Sequence, residues 1–241
     1  MPIAEANEIK ALTFDVFGTV VDWHGSVARE VRALAAKKNM RLNAVKFTKA
    51  WRAGYRPAMD RVRSGELPWT KIDVLHRMIL DELLVQFKIA DALTEDEKTQ
   101  LNLVWHRLKP WPDASRGLKR LKRRYVIATL SNGNTRLLID LAKNGDLPWD
   151  SVFSSETFHH YKPDPEMYLG AAEVLDVKPS EVMMVASHKH DLRSAAKYGL
   201  KTAFIKRPHE YGRNNNPDLA SEAEFTANAE SFLDLADQLG V

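Results

Sequence analysis

The chain has 241 residues, a formal net charge of +3 and no cysteine. This length suits one large domain or a core with an inserted subdomain. The lack of cysteine excludes disulfides, thiolate catalysis and zinc sites that are built on cysteine. Hydrophobic residues make up 44% of the chain, which is enough to form a buried core.

Targeting, membrane and nucleic-acid signals are weak. Residues 1–10 contain two Glu and no long apolar run, so they do not resemble a signal peptide. No stretch approaches the roughly 18 apolar residues that a membrane span requires. The basic run at residues 119–124 lacks the interleaved aromatic residues that would indicate nucleic-acid binding. We therefore expect a cytoplasmic protein with neither a membrane nor a nucleic-acid partner.

The first predicted element is a buried strand that ends at Asp15. Apolar residues lead up to this carboxylate, and Gly18 follows within three residues. Ligands of open α/β sheets bind at the carboxyl ends of the strands. Asp15 could therefore act as a nucleophile, or it could simply cap a turn. This stretch alone leaves both interpretations open.

Helical periodicity follows this strand, in residues 23–109. Predicted helices lie at about residues 27–35, 47–54, 69–84 and 96–108. Thr94 and Glu97 have the spacing of a capping box before the last of these helices. The segment Pro110–Pro112 ends the series, because two prolines so close together cannot continue a helix. We expect a helical cap subdomain inserted into a core of residues 1–22 and 110–241.

Strands and helices alternate in the rest of the chain. Strands are predicted at residues 125–130, 151–154, 182–186 and 201–205, and helices at 114–123, 135–143, 164–175, 191–198 and 230–239. This alternation predicts an α/β fold, with a doubly wound, Rossmann-like parallel sheet and right-handed crossovers. Neither a GxGxxG motif nor a P-loop is present, so no nucleotide site and no cofactor are expected.

Polar residues lie at four strand ends of the predicted sheet. They are Asp15 with Thr19, Ser131 with Asn132, Lys162, and Ser187 with His188 and Asp191. The carboxyl ends of parallel strands face one crevice, so a set of four favours a functional site over isolated turn caps.

These residues resemble motifs of the haloacid dehalogenase superfamily and, within it, of the L-2-haloacid dehalogenases. The similar segments are Asp15 to Asp22, Trp51-Arg52, Ser131-Asn132-Gly133, Tyr161-Lys162-Pro163-Asp164 with Tyr168, and Val185-Ala186-Ser187 with Asp191. The phosphatases of the superfamily have a second Asp two residues after the nucleophile, as general acid. Here that position is Phe17, which cannot protonate a leaving alkoxide. A halide needs no proton, so the resemblance implies cleavage of a carbon–halogen bond.

The resemblance also implies catalytic roles. Asp15 would attack C2 of a 2-haloacid, and water would hydrolyse the resulting ester to a 2-hydroxy acid with inverted configuration. Thr19 would hold the nucleophile. Lys162 and Asp191 would form an ion pair beside it, with Lys162 orienting Asp15 and Asp191 positioning water. The alternative for that pair is a purely structural role at the sheet edge.

Substrate-binding roles follow in the same way. Ser131 and the backbone N–H groups after Asp15, at Val16 and Phe17, would hold the substrate carboxylate. Arg52 would bind the halide, where developing negative charge needs stabilisation. Asn132 could assist there or be a turn residue. Tyr168 could line the site or belong to the core.

Two histidines depart from the family pattern, which usually has Asn at the position of His188 and a large aromatic residue at that of His190. Each could be a surface or capping residue. Alternatively, His188 positions water or Lys162, and His190 supplies a hydrogen bond in a smaller, more polar halide pocket. The second interpretation predicts activity on fluoroacetate or chloroacetate.

Ser187 stands nearest the position where superfamily phosphatases carry an acidic Mg²⁺ ligand, and it is a poor replacement for a carboxylate. We therefore expect no metal requirement. The alternatives are a Mg²⁺-dependent phosphatase or phosphonatase of the same superfamily, and a non-catalytic member that binds a small acid or a protein. Apolar faces on the insert helices allow a homodimer but do not require one.

Overall fold

The computed structural model describes residues 3–212 and 218–241. The chain forms two compact units, which are described separately. An α/β unit comprises Met1–Asp22 and Lys109–Val241, and a helical unit comprises Trp23–Leu108. Within the described residues, no helix has both the length and the apolar content that crossing a membrane requires.

Eight strands and ten α-helices follow one another along the described residues. In chain order they are β1 (Ala11–Phe14), β2 (Val21–Asp22), α1 (Trp23–Lys37), α2 (Ala44–Arg63), α3 (Ile72–Gln86), α4 (Glu95–Asn102), β3 (Lys109–Pro110), α5 (Ala114–Leu121), β4 (Val126–Ser131), α6 (Thr135–Gly145), β5 (Ser151–Ser154), α7 (Ser155–Phe158), α8 (Pro165–Val174), β6 (Val182–Ala186), α9 (Lys189–Lys197), β7 (Lys201–Ile205), β8 (Ala227–Ala229) and α10 (Phe232–Gln238). Short 3₁₀ helices cover Ala4–Asn7, Ala90–Ala92, Leu103–Arg107 and Pro179–Glu181.

The α/β unit contains a six-stranded parallel sheet in the order β5-β4-β1-β6-β7-β8. Strand β1 lies between β4 and β6, with Phe14 beside Thr129 and Val185. The chain first builds the sheet outward from β1 on one side, through β4 and β5, and then returns to β6 on the other side. The order in which strands are added to the sheet therefore reverses at β1. Doubly wound folds bind their ligands beside such a reversal, at the carboxyl ends of the strands. This topology confirms the predicted fold class.

Helices cover both faces of the sheet, which is why β1 and β6 are continuous buried runs rather than alternating ones. On one face, Tyr168 of α8 and Leu192 of α9 join the core around Met184. On the other face, the ring of Phe14 lies 5.6 Å from that of Phe232. Burial of one such aromatic ring contributes about 1.5–3 kcal/mol, so these contacts hold β1 firmly in place.

The helical unit is built on aromatic packing. Trp51 and Trp105 are buried and meet nearly at right angles, with ring centroids 5.5 Å apart. The ring of His76 stacks on Trp105 at 4.2 Å. Burial, helped by the positive charges of Arg52 and His106, lowers the pKa of His76 to about 3 against the opposing effect of a nearby Asp. His76 is therefore a neutral core residue at physiological pH.

Several details differ from the predicted elements, and one is the antiparallel pair of β2 and β3, which had not been expected. The single helix expected at 96–108 is wrong, because α4 stops at Asn102 and a 3₁₀ helix, Leu103–Arg107, follows. The capping box of Thr94 and Glu97 at the start of α4 is confirmed. Strand β8 and helix α7 had not been expected. The Ala-Asn-Ala sequence of β8 has low strand propensity, and the strand exists because it pairs with β7.

Candidate active site

Asp15 directly follows β1 and is buried. Its Oδ2 accepts hydrogen bonds from Thr19 Oγ1 at 2.7 Å and from His188 Nδ1 at 3.1 Å, and its Oδ1 accepts one from Lys162 Nζ at 3.0 Å. Burial would raise the pKa of this carboxyl, but Lys162, His188 and Thr19 outweigh burial and hold the pKa well below its usual range. Asp15 is therefore an ionised carboxylate that touches two cations.

Lys162 lies in the segment between α7 and α8 and is buried between two carboxylates. Its ammonium donates to Asp15 and to Asp191 Oδ2, and Tyr168 Oη donates to Asp191 Oδ1 at 2.6 Å. Burial would lower the pKa of Lys162, but the two carboxylates raise it above its ordinary value. Burial together with Asp191 raises the pKa of Tyr168, so its phenol remains a proton donor.

His188, at the start of α9, bridges Asp15 to a carboxylate that sequence reasoning missed. Its Nε2 lies 2.8 Å from Oε1 of Glu210, which is buried. Burial would lower the pKa of His188, but Glu210 and Asp15 raise it to about 10. At neutral pH the ring is thus an imidazolium that donates a hydrogen bond from each nitrogen to a carboxylate.

Glu210 reaches the site from the segment after β7. Gly18 makes room for it, because a Cβ on Gly18 would lie 2.2 Å from Glu210 Oε1, and its φ of +88° favours glycine as well. In the same segment, Arg207 donates from Nε to the carbonyl oxygen of Thr19 at 2.8 Å and pairs with Asp113. The chain after β7 is therefore tied to the turn that carries Asp15.

The signal for Glu210 was present in the sequence. β7 is a further strand whose carboxyl end reaches the same edge of the sheet, and Glu210 comes five residues after its last residue, Ile205. The rule that selected polar residues at four strand ends would have selected this one, had it been applied to β7.

Thr19 and Ser187 connect the ends of β1 and β6. The Ser187 backbone N–H donates to Thr19 Oγ1 at 2.9 Å, and the two hydroxyl oxygens are 3.0 Å apart. The Thr19 hydroxyl is thus held by Ser187 while it donates to Asp15, which fixes its orientation. Ser187 Oγ lies 3.5 Å from Glu210 Oε2, at the limit of a hydrogen bond.

Ser131 and Asn132 lie at the end of β4. Ser131 is fully buried, and its Oγ accepts from the Gly133 N–H at 3.2 Å. Asn132 Oδ1 accepts from the backbone N–H of Lys162 at 2.8 Å, so its side chain links the loop after β4 to the segment that carries the ammonium. This contact uses the Oδ1 acceptor of Asn132, whereas the predicted halide contact would use its Nδ2 donor, so that contact stays a prediction.

The other predicted residues lie in three places. Val16 and Phe17 are buried in the turn after β1. His190 is exposed on α9, with its ring centroid 5.7 Å from that of His188. Arg52 belongs to α2 in the helical unit, where its guanidinium lies 4.2 Å from the ring centroid of Tyr55 and 5.5 Å from that of Trp23.

Two further observations concern a buried nitrogen of Arg52 and the arrangement of possible metal ligands. Arg52 Nη1 is buried and has no hydrogen-bond partner among the described residues. Over residues 3–212 and 218–241, no group of three or more histidine or acidic residues has the arrangement of a metal site. The positive charge that contacts Asp15 is supplied by Lys162 and His188.

The chain is similar to known dehalogenases. The family model of haloacid dehalogenase-like hydrolases matches residues 9–199. The (S)-2-haloacid dehalogenase 4A of Burkholderia cepacia is 32% identical over 219 residues, which span 85% of this chain and 87% of that protein. The crystal structure of an L-2-haloacid dehalogenase has 47% identity and a TM-score of 0.92, covering 96% of this chain and 98% of that one. A defluorinating L-2-haloacid dehalogenase has 44% identity and a TM-score of 0.94, with coverages of 97% and 96%.

Proposed function

Because the chain belongs to the haloacid dehalogenase-like hydrolases, we propose that it hydrolyses short 2-haloalkanoic acids to 2-hydroxy acids. The observation that carries this proposal is the ionised Asp15 at the end of β1, which contacts two side-chain cations while Phe17 stands where a phosphatase would need an acid. The names of the similar proteins, which are dehalogenases of (S)- or L-2-haloacids, support it.

The reaction has two steps. An oxygen of Asp15 attacks C2 from the side opposite the halogen, so an ester forms and halide leaves. Water then attacks the ester carbonyl carbon, which releases the 2-hydroxy acid and regenerates Asp15. Only the first step takes place at C2, so the product has inverted configuration. Lys162 orients Asp15, and Asp191, held by Lys162 and Tyr168, positions the water and accepts its proton.

Substrate binding uses other groups. Ser131 and the backbone N–H groups of Val16 and Phe17 bind the substrate carboxylate. Arg52 stabilises the departing halide, since its guanidinium is held by ring faces and one of its nitrogens has no hydrogen-bond partner among the described residues. Residues 23–109, which carry Arg52, act as the cap.

No metal ion takes part in the proposed reaction. Asp15 is already matched by the ammonium of Lys162 and the imidazolium of His188, and a further cation would weaken its attack on an anionic substrate. Ser187 lacks the carboxylate that a Mg²⁺ site would need at this point.

The His190 side chain beside His188 makes the site more polar than an aromatic residue would, which favours small substrates such as fluoroacetate and chloroacetate.

The test is halide release from chloroacetate, fluoroacetate and both 2-chloropropionate enantiomers, with EDTA present throughout. We expect release from chloroacetate and fluoroacetate, turnover of the (S)-enantiomer to the (R)-hydroxy acid, and no release by Asp15→Asn. A single turnover in ¹⁸O-labelled water should leave the label on Asp15. Label that enters the product hydroxyl directly would contradict the ester mechanism. Hydrolysis of p-nitrophenyl phosphate that depends on Mg²⁺ would favour the phosphatase instead.

A further inference from the structure

The two oxygens of Asp15 have different surroundings. Oδ2 accepts two hydrogen bonds, from Thr19 and from His188, whereas Oδ1 accepts one, from Lys162. Each carboxylate oxygen offers about two lone-pair sites. Among the residues that the structure describes, both sites of Oδ2 are therefore occupied, and Oδ1 keeps one lone pair that can form a bond to carbon.

We propose, on the basis of the function proposed above, that Oδ1 is the attacking atom and that Oδ2 remains in an oxyanion site formed by Thr19 and the His188 imidazolium. Oδ2 becomes the carbonyl oxygen of the ester, and negative charge develops on it when water attacks. Preorganised donors at such an oxygen stabilise the transition state. His188 is then a catalytic residue of the hydrolysis step. Glu210 is a positioning residue that holds the ring and its charge.

Bonds and protons balance in both steps. In the first step a lone pair of Oδ1 forms the bond to C2, and the carbon–halogen pair leaves as halide. In the second step water adds to Cγ and gives one proton to Asp191, while the π pair of the carbonyl moves to Oδ2. When this pair returns, the Cγ–Oδ1 bond breaks. Oδ1 leaves as the product alkoxide and takes a proton from Lys162, which Asp191 then restores.

The second proton of the water ends on the new Asp15 carboxyl and passes to solvent, because the pKa of Asp15 is far below neutral.

This sequence of steps explains why the two oxygens of Asp15 have different partners. Lys162 contacts Oδ1, the atom that must leave as an alcohol oxygen, and Lys162 is hydrogen-bonded to Asp191. His188 and Thr19 contact Oδ2, the atom that carries the transient charge.

Glu210 is needed because esterification removes the charge of Asp15. His188 then loses one of its two carboxylate partners, and Glu210 at 2.8 Å remains. The groups that face His188 are Asp15 after β1, Glu210 after β7 and His190 on α9. Lys162 contacts the other oxygen of Asp15 and pairs with Asp191, and Arg207 is near enough to Glu210 to interact with its charge. Of these groups, Glu210 is the carboxylate that contacts the ring in the ester state.

The test separates ester formation from ester hydrolysis in rapid-mix experiments with chloroacetate. We expect His188→Ala to release one equivalent of halide at the wild-type rate and then to turn over about 10²–10³-fold more slowly, as loss of an oxyanion donor does. Intact-protein mass spectrometry should show the carboxymethyl ester accumulating. His188→Asn, which keeps an uncharged donor, should fall between. His160→Asn, at a half-exposed histidine on the surface, is the matched control and should behave as wild type.

His188→Ala removes the ring that contacts the buried Glu210, so Glu210→Gln provides a variant that keeps the shape of this side chain and loses only its charge. Esterification also removes the charge of Asp15, so burial, which lowers the pKa of His188, then acts without either carboxylate charge. The hydrolysis step should therefore begin to slow at a lower pH than it does in the wild type.

Two results would overturn the inference. One is an equal slowing of the halide burst and of later turnover in His188→Ala, without an accumulated ester. The other is a Glu210→Gln enzyme whose hydrolysis step has the wild-type pH profile. Failure of the proposed function is distinguishable from both, because the wild-type protein would then release no halide from chloroacetate at all.

Discussion

The two units hold the cations of the proposed reaction in different ways. In the α/β unit, Lys162 contacts Asp15 and Asp191, and His188 contacts Asp15 and Glu210. In the helical unit, Arg52 lies over two aromatic rings, and the described residues include no ion pair to it. The two cations of the α/β unit thus contact carboxylates, and the cation of the helical unit lies on ring faces.

This difference separates two tasks. A cation between two carboxylates has its charge largely matched, so it can fix a nucleophile but offers little to an incoming anion. A guanidinium on ring faces gains about 0.5–2 kcal/mol from the rings and keeps its charge and its donors for a ligand. Substitutions in the two places should therefore have different effects on stability and on activity.

The largest effect is expected for Lys162→Met. It leaves Asp191 buried without its cation and Asp15 with the His188 imidazolium alone, and breaking a buried pair in this way costs about 3–5 kcal/mol of unfolding free energy. The pKa of Asp15 should rise at the same time, so chloroacetate turnover should fall most at acidic pH. Urea unfolding and a pH–rate profile measure the two effects. Wild-type stability in this variant would show that the network is not what holds Asp15.

Arg52→Ala should lower activity strongly and change stability only slightly. We expect turnover to fall by about 10²–10³-fold, as it does when a donor to a developing negative charge is lost. The unfolding free energy should change by no more than about 1–2 kcal/mol, because ring contacts alone are removed. Arg56→Ala is the matched control, one turn further along α2 with its side chain mostly exposed. A loss of stability as large as that of Lys162→Met would contradict the comparison between the units.

The sequence contained enough information to predict where the α/β site lies. A buried strand that ends on Asp15, and polar residues after other strands, predicted one edge of a parallel sheet, and the structure brings Thr19, Lys162 and His188 into contact with Asp15 there. Hydrophobic periods of 2 and 3.6 residues are enough to locate this edge, because the direction of the strands alone decides which strand ends lie together.

Atom-level pairing could not be predicted in the same way. That Asn132 accepts from the Lys162 backbone, or that His188 bridges to Glu210, depends on loop conformations that no periodicity encodes. The 3₁₀ helix Leu103–Arg107 and strand β8 were missed for a related reason, since packing and pairing with β7 override weak local propensity.

The contributions of His76 and His188 to stability should respond oppositely to pH. The pKa of His76 is lowered, so its unfolded form binds a proton as pH falls below about 6.5 while the folded form does not, and stability is lost toward acid. The pKa of His188 is raised, so its contribution is present below about 6.5 and is lost as pH rises toward 10.

His76→Phe tests the acid side of this contrast. The ring stays on Trp105 and the titration disappears, so the loss of unfolding free energy between pH 8 and pH 5 should be about 2 kcal/mol smaller than in the wild type. Urea unfolding at the two pH values measures it. His160→Asn, which removes a half-exposed histidine, should leave the pH dependence unchanged. An unchanged acid loss in His76→Phe would mean that His76 is protonated in the folded chain.

The smallest effect is expected for Tyr55, whose ring centroid lies 4.2 Å from the Arg52 guanidinium carbon. Tyr55→Leu keeps an apolar side chain and removes the ring face. The loss of the cation–π interaction with Arg52 costs about 0.5–1 kcal/mol, which should lower the turnover of chloroacetate about 2–5-fold. The loss should be in kcat rather than KM. In the proposed reaction a misplaced Arg52 would stabilise the departing halide less well, while the binding of the substrate would change little. Tyr55→Phe restores the ring and should restore most of the rate. Equal losses in both variants would assign the effect to the phenol hydroxyl and would mean that the ring face does not hold Arg52.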